Sequence, residues 1–535
     1  MKNIFVILSL VSFVFQNDLF GQSTFVKKYP YSLSGTICDN KSNTALILTK
    51  SNNLVLTAIK AYIDTIYTFS TLIKTDLNGN LIFSKTFKNP YDIQPADIIE
   101  TTDGGYLITG HNHSIDTIGN LFNFILKTDS LGNVLWSKSS IDSNGTFGYK
   151  VVELNDSTYF GTSSYYSPHT LGDIYYYALD KSGVVKFERL LSSAGTEEGR
   201  SLLVHNKNVY LLGNTQNSFD TLNEFIISKL NTNGTSQWSK RYHFNNINTF
   251  QQSLFITKRN NTSIAVAGNI FNTLNSTSDF FLCVLDTNGN VISSKIYDID
   301  YNDDVSSFSA DGTNGYLINC LSSPSSGVGK FIPISIDSNL NVVNAKQTLS
   351  SYSGCQTQGP TLLKSNNNYF LGGIQYDNNP FTSMPFLIKM DMGFNTNCIN
   401  PNVIFQFYNY SVTVNSINNF NSEIYVNLLK SKSVYSQDIL ITDSVYCSTP
   451  LNNGYNFKDN TFSIYPNPSN GIFKITSNTT DKLGVELYDV NGRRVFSKAV
   501  VGTADIDANS LDNGIYTLTI KNSLGITNKK LVIAR

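Results

Sequence analysis

The chain has 535 residues, too many for one ordinary core, so at least two domains are expected. Aromatic residues reach 12% while charged residues stop at 15%, and Gly, Asn, Ser and Thr are plentiful, a mixture that favours strands and tight turns over helices. The 39 Lys plus Arg balance 40 Asp plus Glu with no basic run in the body, which excludes the clustered positive field a nucleic-acid partner requires.

Residues 1–21 read as a signal peptide. Lys2 supplies a positive start, Ile4–Phe15 is an apolar run of 12 residues, too short to span a bilayer, and Asn17 and Asp18 end it ahead of a cut after Gly21. No cysteine precedes Cys38, so a lipid-anchored N-terminus is not expected, and no later segment is long and apolar enough to cross a membrane. The cysteines are Cys38, Cys283, Cys320, Cys355, Cys398 and Cys447. Their wide, irregular spacing lacks a C-x-x-C pair, which argues against zinc; export permits disulfides, and the expected state mixes buried free thiols with one or two staples.

Residues 23–450 carry a repeat. An apolar strand, an Asp-x-x-Gly turn and a second strand ending in Lys recur, as in Leu72–Lys85 (LIKTDLNGNLIFSK) and Ile125–Lys138 (ILKTDSLGNVLWSK). The anchor positions are Asp76, Asp129, Asp180, Asn231, Asp286, Asp337 and Asp391, separated by 53, 51, 51, 55, 51 and 54 residues. A second phrase keeps step, as in Asp103–Gly110 (DGGYLITG) and Asn368–Gly373 (NYFLGG). Each unit therefore predicts an antiparallel sheet with room for four strands, with Gly79 and Gly132 at positive φ in the turns. Such a sheet cannot cover both of its faces alone, and stacking sheets around an axis does so. A period close to the ~50 residues of Kelch-type blades predicts an all-β, seven-bladed β-propeller. Thr24–Tyr29 (TFVKKY) resembles the strand after each turn and suggests closure of the ring by the chain start. Asn402–Cys447 is strand-rich and out of phase, and reads either as completion of the ring or as an eighth blade.

Residues 451–460 are polar and turn-rich, a linker. Residues 461–535 change pattern: short apolar strands alternate with turn signals at Asn491-Gly492 and Asn513-Gly514, the size and pattern of an immunoglobulin-like β-sandwich. Tyr465-Pro466-Asn467-Pro468-Ser469-Asn470-Gly471, followed in order by Val485–Arg493 (VELYDVNGR), Leu511–Tyr516 (LDNGIY) and Lys529–Ile533 (KKLVI), resembles the type A C-terminal sorting domain of the type IX secretion system of Bacteroidota. The resemblance implies passage through the periplasm, recognition by the outer-membrane translocon, and removal by a sortase-like peptidase with attachment to surface lipopolysaccharide or release. The residues that carry it are Tyr465, Pro466, Asn467, Pro468, Gly471, Tyr488, Asp489, Gly492, Gly514, Tyr516 and Lys530.

Catalytic motifs are absent: there is no G-x-S-x-G, phosphate loop or H-E-x-x-H, and the carboxylates look scattered. No cofactor is predicted. Calcium has two candidate sets, Asp76, Asn78, Asn80 and Asp286, Asn288, Asn290, with oxygen side chains at alternate positions. Glycine falls at the fourth rather than the sixth loop position, so the expected role of these residues is to stabilise the turn. His111-x-His113 reads as a solvent loop rather than a metal pair. Asp64-Thr65-Ile66, Asp116-Thr117-Ile118 and Asp220-Thr221-Leu222 resemble O-glycosylation sites of the same phylum. The expected function is an exported binding protein or adhesin for a glycan or protein ligand, with a polysaccharide hydrolase or lyase working at the propeller axis as the alternative.

Overall fold

The computed structural model describes residues 24–29, 45–62, 65–88, 92–113, 121–140, 145–155, 157–166, 172–192, 195–216, 223–244, 249–272, 277–324, 329–348, 350–351, 361–376, 383–396, 406–408, 412–416, 421–424, 429–431, 435–438, 444–448, 462–477, 482–489, 494–522 and 525–535. The expected signal peptide of residues 1–21, the expected linker of residues 451–460, the segments carrying Asp64, Asp116 and Asp220, and Gly492 lie outside them. Two compact units result, Met1–Thr449 and Pro450–Arg535.

Among the described residues the first unit contains only strands, grouped into seven four-stranded antiparallel sheets in chain order. Sheet 1 runs Leu46–Leu48, Leu54–Tyr62, Thr65–Thr75, Leu81–Lys88, and sheets 2 to 6 repeat the plan from Asp92, Thr146, Thr196, Thr249 and Asn302. Sheet 7 has three strands of its own, Thr361–Ser365, Asn368–Tyr376 and Ser383–Met390, and takes its fourth from the chain start, where Phe25–Lys28 pairs with Phe386–Lys389. Apart from one parallel pair, Ser278 with Asn302, no strand pairing joins neighbouring sheets among the described residues; packing and side-chain bonds join them.

That packing follows from the third strand of each unit, where consecutive residues are apolar. In Thr277–Asp286, Phe281, Cys283 and Leu285 enter a core shared with sheet 4, while Phe280, Leu282 and Val284 enter one shared with sheet 6. Seven such clusters join successive sheets, and the last unites Phe25, Phe370 and Leu387 of sheet 7 with Leu46, Leu54 and Ile73 of sheet 1. The first strands of neighbouring sheets touch one another and line the inside of this propeller-like arrangement.

The repeat phrase is the joint between sheets. In each turn the Asp carboxylate accepts the backbone N–H groups two and four residues on, as Asp76 does from Asn78 and Asn80 at 2.8 Å. Gly79, Gly132, Gly183, Gly234 and Gly289 have φ between 73° and 83°, and an added Cβ would strike a side chain of the preceding sheet's fourth strand. The side chain met is Phe25, Lys85 with Phe83, Trp136, Phe187, and Tyr242 with Trp238, respectively. In sheets 5 and 6 the equivalent fourth-strand residues are Ser293 and Asn344, and there the next turn carries Leu340 and Phe394 instead of glycine, at φ 63° and 58°. Both are buried, Leu340 in the core between sheets 5 and 6 and Phe394 in that between sheets 6 and 7. A left-handed L-residue costs roughly 1–2 kcal/mol, and burying a leucine side chain contributes roughly 1.5–3 kcal/mol, so packing outweighs the strain. The Lys that closes the phrase bonds the following turn: Lys27 donates to Asn80 Oδ1 at 3.0 Å, and Lys240 to the Asn288 carbonyl at 2.7 Å.

The segment weighed as an eighth blade forms no sheet of its own. Short strands at Gln406–Tyr408, Val412–Ser416, Asn421–Ile424, Leu429–Ser431, Tyr435–Asp438 and Ser444–Ser448 add a fifth strand to sheets 5, 4, 3, 2, 1 and 7 in that order. The chain thus runs backward around the outer edges, covering strand edges that would otherwise face water. Sheet 6 receives no such strand among the described residues. Cys283 and Cys320 are buried free thiols, in keeping with part of the cysteine expectation; the other four side chains lie outside the described set.

The second unit packs a three-stranded sheet (Phe462–Tyr465, Ile472–Ser477, Ala504–Asp507) with a four-stranded one (Arg494–Val501, Lys482–Tyr488, Gly514–Asn522, Gly525–Ile533) around Phe473, Ile475, Leu487, Ile506, Leu518 and Leu531.

Gly132→Val tests the turn. At φ 79°, with its Cβ 2.9 Å from Lys85 Cγ, the variant is expected to lose roughly 1–3 kcal/mol of stability in a denaturant titration; an unchanged midpoint would reject the joint as described.

Candidate functional site

The first strands carry polar side chains at their bulges. Register slips place an extra residue there in several sheets: Tyr149 in Thr146–Asn155, Arg200 in Thr196–His205, and Ser306 in Asn302–Ala310. A bulge turns a side chain out of the strand's alternation. Glycines make room beside two of them: a Cβ on Gly148 would lie 2.3 Å from the Gly110 carbonyl, and one on Gly199 2.7 Å from the Ser163 carbonyl.

The bulged residues of sheets 3 and 4 meet. Arg200 donates from Nη1 to Tyr149 Oη at 2.7 Å, from Nε to Asn214 Oδ1 at 3.0 Å, and from Nη2 to Glu198. Tyr166 donates its hydroxyl to the other Glu198 oxygen. Phe147 lies between the two tyrosines, 6.3 Å from Tyr149 in a stacked pose and 5.5 Å from Tyr166 edge-on, and the His111 ring sits 5.3 Å away. The Arg200 guanidinium lies 4.9 Å from the Tyr149 ring centre. Phe147, Tyr149 and Tyr166 are half-buried, and the Arg200 and Glu198 side chains keep 18% and 17% of their surface in solvent. The result is a patch of three rings beside an ion pair.

Its electrostatics favour fixed charges. Burial pushes the Glu198 carboxyl up, but Arg200, Tyr166 and Asn214 outweigh it and hold the group below its usual range. Burial raises the hydroxyls of Tyr149 and Tyr166, so both stay neutral donors and acceptors. An ionised acid, a permanent cation and two neutral phenols suit hydrogen bonding and ring stacking; none is poised near neutrality as a proton shuttle.

A second cluster lies where sheet 5 meets sheet 6. Asp279 opens the third strand of sheet 5, Asp298 ends its fourth, and Asp303 stands on the first strand of sheet 6; one carboxylate oxygen from each lies within 4.8 Å of the others. Burial raises all three, Asp279 to about 6 with help from Asp298, and Asp303 to about 7. Oxygen-only donors of this kind suit a hard cation. Sequence reading missed this group because Asp279 is remote from the rest; the run Asp298-Ile-Asp300-Tyr-Asn302-Asp303-Asp304 was the available signal.

The predicted residues distribute differently. Asp76 and Asp286 each accept two backbone N–H groups and, at 2.8 Å, the side-chain amide of Asn80 or Asn290, so a cation there would compete with three donors. Asn78 and Asn288 supply backbone donors to these turns. His111 corrects the loop expectation: it belongs to the strand Tyr106–His113, is 5% exposed, and its Nε2 lies 2.9 Å from Gln94 Oε1. The strand continues three residues beyond Gly110, where the recurring phrase ends.

In the second unit, the Tyr465–Gly471 segment lies along the final strand. Asn467 donates Nδ2 to the Lys530 carbonyl at 2.7 Å and accepts the Val532 N–H at 2.8 Å, while Ser469 exchanges backbone bonds with Val532 and Ala534. Tyr465 is 78% exposed, and Pro466 and Pro468 are exposed beside it. Gly471 has φ 111°, with Arg535 anchored on the carbonyls of Asn470, Asn509 and Leu511 alongside. Tyr488 donates to Glu486 at 2.7 Å, half-buried Asp489 follows it, Gly514 starts a strand paired with Ile533, Tyr516 donates to the Asp512 carbonyl at 2.8 Å, and Lys530 is exposed.

Residues 463–534 match the family of secretion system C-terminal sorting domains. The C-terminal unit is a type IX secretion sorting domain. Export to the outside of the cell is therefore the destination this unit encodes. No curated protein matches the chain in sequence. Among solved structures, polysaccharide lyase Uly1 is similar over 71% of this chain and 94% of its own, at 11% identity and a TM-score of 0.41. The endo-arabinase from Bacteroides thetaiotaomicron VPI-5482 is similar over 57% and 96%, at 11% identity and a TM-score of 0.26. Likeness at this level carries no argument about chemistry, and the propeller-like fold rests on the sheet order and cores.

Asn467→Ala removes both bonds to the final strand. The expected loss is about 1 kcal/mol per bond, read as faster amide exchange at Val532 in the sorting domain; unchanged exchange would refute the role assigned to Asn467.

Proposed function

We propose that this is an exported binding protein. Its signal peptide takes it to the periplasm, the translocon reads the C-terminal unit through the exposed Tyr465, Pro466 and Pro468 face, a sortase-like peptidase then acts, and the body is left at the surface lipopolysaccharide or in the medium. There the propeller-like body holds a glycan without turning it over. The observation that carries the binding reading is the Phe147, Tyr149, Tyr166, Glu198 and Arg200 patch, in which half-exposed rings flank a fixed ion pair. Sugar rings present apolar C–H faces that stack on aromatics and hydroxyls that bond charged groups. Neutral tyrosines, an ionised Glu198 and a fully engaged Arg200 suit hydrogen bonding and stacking rather than proton transfer.

Two outcomes are expected. Deleting residues 461–535 retains the protein inside the envelope, measured by protease accessibility on whole cells; surface display of the truncated chain would contradict the export route. On an array of polysaccharides, the purified full chain binds at least one class without releasing products. Tyr166→Ala with Phe147→Ala lowers that affinity by about 1–3 kcal/mol, and turnover of any polysaccharide by the unmodified chain would favour the hydrolase or lyase reading instead.

A further inference from the structure

We propose that Asp279, Asp298 and Asp303 form a calcium site that clamps sheet 5 to sheet 6. The three carboxylates come from three strands on both sides of the joint, and their nearest oxygens lie within 4.8 Å of one another. None is in an ion pair among the described residues; the nearest recorded one is Lys330 with Asp300, at 3.7 Å. Asp279 faces the charge of Asp298, and Asp298 that of Asp300, so like charges are brought together out of water.

The most buried of the three carboxylates points the same way. Asp303 has no solvent exposure; its Oδ2 accepts the N–H groups of Ile299 at 2.6 Å and Asp300 at 3.1 Å, while its Oδ1 has no partner. Directly across the strand pair, Ser322 is also fully buried, and its hydroxyl offsets only part of the burial that raises the Asp303 carboxyl. Buried polar atoms are satisfied in almost all folded proteins, and a bare carboxylate oxygen is among the costliest exceptions. A dication answers both the missing partner and the crowded charge.

The donor chemistry selects the ion. All the converging side chains offer oxygen, with no imidazole or thiolate among them, which disfavours zinc and copper. Calcium accepts irregular oxygen sets, whereas magnesium demands near-ideal octahedral geometry and keeps its waters. This set is distinct from the Asp76 and Asp286 turns, whose carboxylates already carry three donors each. The position has a mechanical meaning: sheet 6 is the one that gains no outer fifth strand among the described residues, and it sits next to where that circumferential segment begins, on sheet 5.

Terbium luminescence and thermal melting of the chelator-treated full chain test the site. Tyr301, in the connection between Asp298 and Asp303, serves as the sensitiser. Terbium emission is expected to appear on tyrosine excitation and to be displaced by calcium chloride but not by an equal concentration of magnesium chloride, and calcium is expected to raise the melting temperature by several degrees. Asp279→Asn with Asp298→Asn, neutral replacements at half-buried positions, weakens calcium binding by more than about tenfold, while Asp76→Asn with Asp286→Asn leaves it unchanged. No calcium response in the unmodified chain would overturn the proposal regardless of how the variants fold. A response that survives the first pair and disappears in the second would overturn it equally, by placing the ion in the turns.

Discussion

A four-stranded sheet whose central strand is apolar on both faces has two surfaces to hide, and everything else in the body follows from that demand. Phe280 and Phe281, adjacent in sequence, serve different cores. Each sheet therefore needs a neighbour on either side, and a row of such sheets ends only when the last meets the first. Phe25–Lys28 makes that meeting possible: it is hydrogen-bonded into sheet 7, and its Phe25 ring lies over the Gly79 turn of sheet 1. The chain start therefore does for the seventh joint what Phe83, Trp136 and Phe187 do for others.

Turn chemistry made the repeat legible. Asp and Gly recur because the carboxylate gathers two backbone donors and the fourth position needs positive φ, both local requirements that leave a local trace. Leu340 and Phe394 stand where the other turns have glycine. They are better understood with their partners a sheet away: where the preceding strand offers Ser293 or Asn344 in place of an aromatic ring, the turn supplies the missing bulk itself. Local propensity is overruled there by a contact some 50 residues distant, and a reader of one phrase at a time has no means of seeing it. The residues from 406 to 448 read as strand-rich, but their placement was illegible for a similar reason. Edge strands of three to five residues carry little periodicity, and their order around the ring runs opposite to the chain order of the sheets.

The candidate sites escaped sequence reading because bulges and sheet junctions assemble them. Tyr149 and Arg200 are 51 positions apart, the repeat period, and occupy the same place in successive units. A repeat that carries different side chains at one structural position produces a patch whose members are never neighbours in sequence. The same logic separates the two ends of each unit. The Asp-x-x-Gly turns are bound to neighbouring sheets by rings and lysines and have little freedom to vary, whereas the bulged ends of the first strands differ from sheet to sheet, which is where recognition can be varied without loosening the ring.

The joint between sheets 5 and 6 concentrates the exceptions. It has the single strand-paired bridge between sheets among the described residues, Ser278 with Asn302, and a three-residue connection, Ile299–Tyr301, between the strands it joins. It is also the first joint where a small fourth-strand residue replaces the aromatic, and sheet 6 beyond it lacks an outer fifth strand among the described residues. A joint held more closely by backbone has less need of the ring-over-glycine contact, but bringing the strands this near also brings Asp279, Asp298 and Asp303 together. If these acids were merely solvated surface groups, mutual repulsion would favour opening the joint at the point where the outer segment gives no support. Their burial instead means that closeness and charge must be reconciled locally, by protons or by a cation. A cation held by the three carboxylates resolves the charge and draws the two sheets together in the same act.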